Sequence, residues 1–484
     1  MNTAAMLFLY PKQISCCLVL LLSPPFFTCT MPFLSVNPYT QSLLRRFEED
    51  DAAAVRQKIA ASQKAFADWS RRPIAARAAL LEKLAERLWV GQEHYAALIV
   101  AEMGKPIREA KAEIMKCADC CKFYAAQAEA FLKDEYLTSA ATRSYIQYQP
   151  LGAIFAIMPW NFPFWQVIRC AVPALAAGNV FLLKHAPNVP QCAEALEQLF
   201  AEAGFPPDVF QHLWIDLPLV EQVIAHPHVG AVSLTGSERA GASVAALAGK
   251  YLKKSVLELG GSDAFIVLDD AEPATVAAQA VRARMQNTGQ SCIAAKRFIV
   301  LEAVFDDFVA AFKAQMQALQ AGDPMQESTD YACLARPDLA AQLWQQVESS
   351  LEAGAACLLG GIAPEAGKAF FTPTILTALQ PGMPAYEQEL FGPVASIFKV
   401  THEQEALALA NASRYGLGGS VWSKNIDRAE ALAKQLQSGS AFVNAMVKSD
   451  PRLPFGGTKL SGYGRELSYL GLREFTNIQT LWIA

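Results

Sequence analysis

Residues 151–184 read LGAIFAIMPWNFPFWQVIRCAVPALAAGNVFLLK. Two apolar runs of strand length, Ala153–Met158 and Val180–Lys184, flank a stretch with helical spacing. Parallel neighbours in a sheet need a long crossover, which a helix supplies. Strands covered on both faces lose the polar alternation of a half-exposed strand. The segment therefore predicts a β-α-β unit of a parallel sheet.

Outward from this unit the pattern repeats. Further strand candidates are Val229–Leu234, Ser255–Leu259 and Phe265–Leu268, with helical stretches between most of them. A second series follows: a strand at Phe298–Leu301, helices at Val304–Leu319 and Leu339–Ala353, and a strand at Val394–Val400. Upstream, Asp51 to about Leu132 reads as helices, with apolar residues at helical spacing. Thr142–Pro150 (TRSYIQYQP) alternates and predicts a strand or hairpin arm, and Glu474–Ile483 a final strand. The fold class is α/β. No flexible tether separates the parts, so the domains are read as interleaved.

The 484 residues exceed one compact core. Apolar residues make up 52% and charged residues 18%, a globular balance. A net charge of −5 with no basic block excludes a nucleic-acid surface. Eleven cysteines follow no disulfide framework, which points to a reducing, cytoplasmic setting. Cys117, Cys120 and Cys121 include a C-x-x-C, but no second pair stands at zinc spacing, so no metal is expected. The apolar stretch from Ile14 to Phe27 is similar to a secretory signal and too short for a comfortable membrane span. Translation is read as starting at Met31, with residues 1–30 an upstream extension.

Four segments carry chemistry. In Gly289-Gln290-Ser291-Cys292 a glycine permits a tight turn that presents a thiol, although most cysteines are merely buried hydrophobes. In Val256-Leu257-Glu258-Leu259-Gly260-Gly261 a glutamate sits in an apolar strand, where burial raises a carboxyl pKa toward that of a general base. An ion-paired or water-facing glutamate is the alternative. In Pro159-Trp160-Asn161-Phe162-Pro163 two prolines fix the backbone around an amide suited to an oxyanion. Leu234-Thr235-Gly236-Ser237 leads from a strand into a helix whose first turn offers N–H groups to a phosphate.

Together with ELFGPV and LPFGGTKLSGYGRE, and in this order, these segments resemble the aldehyde dehydrogenase superfamily across residues 34–484. The bacterial NAD(P)-dependent succinate-semialdehyde dehydrogenases are the nearest branch, through KHAPN after the Lys184 strand and VKSDPRLPFGG near the end. The resemblance implies two interleaved Rossmann-like domains plus a small β oligomerisation element. Residues 31–135 and 150–257 would bind cofactor, 258–465 would form the catalytic domain, and 136–149 with 466–484 would form the oligomerisation element of a homodimer or homotetramer.

It further implies Cys292 as nucleophile, Glu258 as the base that activates water, and Asn161 as oxyanion donor. Trp160, Lys184, Gly236, Ser237, Leu259, Glu389 and Phe391 would bind NAD or NADP. The G-x-G-x-x-G fingerprint is absent, and this family binds pyrophosphate differently. NAD-restricted members often carry a glutamate three residues after the lysine. Here that position is Pro187, so NADP is expected to be accepted as well.

The expected substrate is succinate semialdehyde, with glutarate semialdehyde or a broad range of aliphatic aldehydes as the alternative. Arg169 would bind its carboxylate, helped by Lys448, Ser449 and Arg452, while an ion pair within the structure remains the other reading of Arg169. Gln286 and Ala294 replace an arginine and a second cysteine found in some members. A catalytically silent binding protein and a cofactor-free thiol hydrolase are the rival classes. The intact Cys292, Glu258, Asn161, Lys184, Ser237, Glu389 and Phe391 argue against both.

Overall fold

The computed structural model describes residues 33–484. The leader reading concerns residues 1–30 and lies outside the described residues. Four helices precede the main sheets: Ala52–Trp69, Ile74–Val90, Gln92–Met103 and Ile107–Phe131. Asp51 caps the first by accepting from the N–H groups of Ala53 and Ala54. The fourth buries Cys117, Cys120 and Cys121 on its apolar face, and burial pushes all three thiols up.

The quoted segment forms a strand at Ala153–Ile157, a helix at Trp165–Ala176 and a strand at Val180–Lys184. The helix is buried along all its residues. The two strands are parallel neighbours in a six-stranded sheet. Its order is Gly462–Tyr463, Lys254–Glu258, Val229–Thr235, Ala153–Ile157, Val180–Lys184, Phe210–His212. Only the Gly462–Tyr463 edge is antiparallel.

From Ala153–Ile157 the chain first winds outward to Phe210–His212. It then returns to the other side of the starting strand as Val229–Thr235. That reversal leaves a crevice at the carboxyl ends of Ala153–Ile157 and Val229–Thr235, the place where open α/β sheets take ligands.

A second sheet has seven strands. Their order is Ala356–Leu359, Thr374–Thr377, Val394–Val400, Arg297–Leu301, Ala264–Val267, Gly418–Trp422, Ser440–Val443. All its pairs are parallel except the outer Ala356–Leu359. The strand Lys254–Glu258 ends the first sheet's parallel run, and six residues later Ala264–Val267 opens the second. The residues between them therefore bridge the two sheets.

Several strands carry little signal in the sequence. Gly418–Trp422 begins with two glycines that read as a turn, and Phe210–His212 is three residues long. The arm Arg143–Pro150 pairs antiparallel with the tail Thr476–Ile483 in the same chain, Thr476 facing Pro150 and Ile483 facing Arg143. The tail strand starts at Thr476 because Glu474 closes a short helix, Ser468–Glu474. Among the described residues no helix is long and apolar enough to cross a membrane.

Candidate active site

The helix Pro273–Met285 is followed, after Gln286, by three consecutive left-handed residues, Asn287 (φ 55°), Thr288 (φ 53°) and Gly289 (φ 77°). At Gly289 a Cβ would stand 2.3 Å from the Gly392 carbonyl oxygen, so only glycine fits. The two preceding side chains adopt a conformation that costs roughly 1–3 kcal/mol each. Surrounding bonds hold it.

Arg284 Nη2 donates to the Gly289 carbonyl at 2.6 Å. Asn287 Nδ2 donates to the carbonyls of Asn161 at 2.8 Å and Gln290 at 3.1 Å. Lys296 Nζ donates to the carbonyls of Ser291 and Cys292, both at 2.8 Å, and of Ala294 at 3.1 Å. The sulfur-bearing turn is thus bound from below by one buried ammonium.

Glu258 is the last residue of its strand and is 2% exposed. Both carboxyl oxygens are buried without a hydrogen-bond partner. Asn161 follows the strand Ala153–Ile157, and its Nδ2 donates to the Gln290 carbonyl at 3.1 Å, two residues before the sulfur. Its Oδ1 is buried and unpartnered.

Burial pushes the Cys292 thiol up to about 12; Arg169 and Lys296 oppose this, and Glu389 and Glu258 add to it. Burial, followed by the neighbouring Glu466 carboxylate, raises Glu258 as well. A neutral thiol and a carboxyl group of raised proton affinity therefore lie within each other's field, beside an amide. Buried polar groups are nearly always paired, so unpaired ones here mark a site shaped for a reacting molecule.

Arg169 is placed differently from a free carboxylate ligand. Its Nε lies 2.5 Å from Glu466 Oε2, both side chains are 2% exposed, and its Nη2 donates to Thr235 Oγ1 at 3.3 Å. Its guanidinium covers the Phe455 ring at 5.0 Å. The ion pair is present, and Cys292 also feels the arginine's charge.

Removing one partner of a buried pair strands the other charge. Arg169→Leu is therefore expected to lower stability by about 3–5 kcal/mol, and Arg169→Leu with Glu466→Leu to recover much of the loss. Thermal unfolding of the two variants checks this; equal Tm values would refute it.

Lys448 is exposed, and Arg452 is exposed and donates to Asp450 through Nε and Nη2, one edge of its guanidinium. Neither lines the cavity bounded by Lys116, Phe162 and Trp165. Ser449 is buried and accepts from Lys116 Nζ at 2.6 Å.

The cofactor candidates border the crevice. Lys184 ends its strand nearly buried, and its ammonium has no ion pair among the described residues. Burial lowers its pKa, and Asp216 partly opposes this. Ser237 caps the helix Glu238–Lys250 by accepting from Ala240 N–H at 3.3 Å, and Gly236 lies in the turn before it. The neighbouring Leu259 packs onto Gly241, where a Cβ would come within 2.6 Å.

Glu389 accepts from Gly261 N–H at 3.0 Å and lies 3.2 Å from Lys296 Nζ. Phe391 meets Trp160 edge to face at 5.8 Å. An unpaired ammonium at one strand end and a helix N-terminus at another, across the chain reversal, fit a dinucleotide with its pyrophosphate.

Sequence reasoning missed Lys296, Asn287, Glu466 and Lys116. Lys296 lies four residues after Cys292 and Asn287 five before it, so proximity to the nucleophile was an available signal for both. Glu466 meets Arg169 only through the tertiary fold.

A model of the aldehyde dehydrogenase family matches residues 29–481. A relative from Synechocystis sp. is 48% identical over 94% of this chain and 100% of its own length. A Deinococcus radiodurans protein named succinate-semialdehyde dehydrogenase (NADP+) is 46% identical over 92% of this chain and 94% of its own. The crystal structure of succinic semialdehyde dehydrogenase from Streptococcus pyogenes in complex with NADP+ superposes with a TM-score of 0.91. It is 39% identical and covers 93% of this chain and 99% of that one.

Proposed function

The chain belongs to the aldehyde dehydrogenase family, and from that premise we propose that it oxidises succinate semialdehyde to succinate with NADP or NAD. The observation that carries this is the pairing of a pinned Cys292 with a buried, unpartnered Glu258 beside the Asn161 amide.

Cys292 loses its proton as its sulfur attacks the aldehyde carbon, forming a thiohemiacetal. Glu258, whose proton affinity burial has raised, is suited to take that proton. The second N–H of the Asn161 amide remains available to the oxyanion. When bound, the dinucleotide supplies the hydride acceptor. Once that first proton has passed to solvent, Glu258 draws a proton from water attacking the thioester; the acid leaves, and the proton on Glu258 returns to the sulfur to restore the thiol.

Lys184 would hold the adenosine ribose, and the Gly236-Ser237 turn the pyrophosphate. Glu389, Phe391, Trp160 and Leu259 would hold the nicotinamide side. Support for NADP comes from the names of the relatives and from the loop after Lys184, where Pro187 presents no carboxylate against a 2′-phosphate. Turnover with both dinucleotides is expected, and initial rates at saturating NADP and NAD check it. Negligible turnover with NADP would refute the cofactor reading.

The same assay over succinate semialdehyde, glutarate semialdehyde and butanal tests the substrate. Succinate semialdehyde is expected to give the highest kcat/KM. A higher value for butanal would overturn the ω-acid reading, and a higher value for glutarate semialdehyde would move it by one methylene.

We further propose a cytoplasmic homodimer or homotetramer. Unpaired cysteines support a reducing compartment. The exposed Ile478 and Trp482 on the tail strand support burial against a second subunit.

A further inference from the structure

The helix Ile107–Phe131 forms one wall of a cavity of about 820 Å³, lined also by Phe162, Trp165, Gln286 and Met446. Lys116 projects into it from that helix. Its Nζ stands 4.1 Å from the centre of the Trp165 ring and donates to Ser449 Oγ at 2.6 Å. Among the described residues Lys116 has no carboxylate partner.

Most other charged groups of the cavity wall are engaged, Arg108 with Asp330 among them; Arg282, exposed at the lining, has no ion pair among the described residues. Glu113 is ion-paired with Lys105 and accepts the N–H groups of Phe164 and Trp165. Glu109, on the same wall, accepts from Asn287 N–H at 2.6 Å. Arg169 is ion-paired with Glu466. Lys116 is therefore a cation facing a cavity with its charge uncompensated. Burial lowers its ammonium pKa to about 8, and the positive Arg169 adds to the effect. An anion arriving beside Lys116 offsets both.

Position relative to the sulfur follows from the helix Trp165–Ala176. Trp165 and Arg169 are four residues apart and share a helix face. Cys292 feels Arg169 more strongly than any other charge, and Lys116 stacks on Trp165. Lys116 and the guanidinium that Cys292 feels are thus set by residues of one helix face, one turn apart at the backbone. Phe162, the neighbour of Asn161, lines the same cavity as Lys116, so an ω-oxo acid with its aldehyde carbon at Cys292 would reach Lys116 by extending its carboxylate past Phe162.

We propose that Lys116, oriented by Ser449, seats the distal carboxylate of the aldehyde substrate. This rests on the ω-semialdehyde reading above and adds the residue that selects it.

The test uses the full chain with NADP. The readout is the ratio of kcat/KM for succinate semialdehyde to that for butanal, which lacks the carboxylate. Lys116→Met is expected to lower the ratio about tenfold or more, as loss of a charged hydrogen bond would, chiefly through KM for succinate semialdehyde. Lys116→Arg is expected to keep most of it. Lys116 serving only as a ring-stacking strut would alter both substrates alike.

A wild type that prefers succinate semialdehyde, with Lys116→Met keeping the ratio within about twofold, overturns the Lys116 assignment and leaves the substrate reading standing. A wild type without that preference overturns the substrate reading and this inference with it. Tm and butanal turnover report whether Lys116→Met is folded. If it is not, Ser449→Ala decides: a severalfold fall in the ratio supports the seat, and an unchanged ratio overturns it.

Discussion

With alanine in place of Cys292, aldehyde oxidation is expected to fall by roughly 10⁴-fold or more, the scale seen when a covalent nucleophile is removed. No other described thiol can substitute. Cys117, Cys120, Cys121, Cys170, Cys192 and Cys333 are buried, and Cys357 lies on the exposed edge strand Ala356–Leu359 of the second sheet.

The substitution leaves the turn intact, since Lys296, Arg284 and Asn287 bind main-chain carbonyls there and not the sulfur. A Tm close to that of the wild type should therefore accompany the loss. Initial rates of reduced-cofactor formation and a thermal melt check both statements. A variant keeping more than about a hundredth of the wild-type rate would mean that the chemistry does not pass through this thiol.

Glu258→Gln keeps shape and volume and removes the base, and kcat is expected to drop by roughly 10²–10⁴-fold. The pH profile gives the sharper test. Burial and the Glu466 carboxylate raise the proton affinity of Glu258 in the folded protein. A protonated carboxyl cannot accept a proton, so wild-type kcat should decline as the pH falls. The decline should begin well above the range of an ordinary exposed carboxylate. The glutamine variant has no such group, and its residual rate should lack that acid limb. Persistence of the limb in Glu258→Gln would assign it to another group and remove Glu258 from the role of base.

How far the sequence discloses this site depends on what each residue must satisfy. Val180–Lys184 is legible to the residue because a strand buried on both faces leaves an apolar run, and Val394–Val400 is legible although Ser396 and the exposed Lys399 interrupt its run. Cys292, Glu258 and Asn161 stand out because glycines or prolines lie close to each, while their roles come from the family resemblance. The groups packed around them are not. Lys116 sits in a helix rich in Lys, Glu and Ala, where a lysine reads as a solvated face, and only the packed fold shows it over Trp165. Arg169 reads equally well as a ligand or as half of an ion pair, and only the long-range approach of Glu466 reveals the pair. Lys448 and Arg452, charged and close to the PFGG segment in sequence, are turned to solvent by a loop whose course no local rule predicts.

The left-handed turn before Cys292 carries a cost that the rest of the molecule bears. Thr288 is β-branched, and at φ 53° its side chain crowds its own backbone; its Oγ1 accepts a hydrogen bond from Ala332 N–H at 3.2 Å. A glycine would relax the backbone and release that anchor together. Heat tolerance and accurate aim of the sulfur thus pull in opposite directions at one position, and a lineage optimised for ruggedness alone would drift toward a calmer turn and a blunter enzyme.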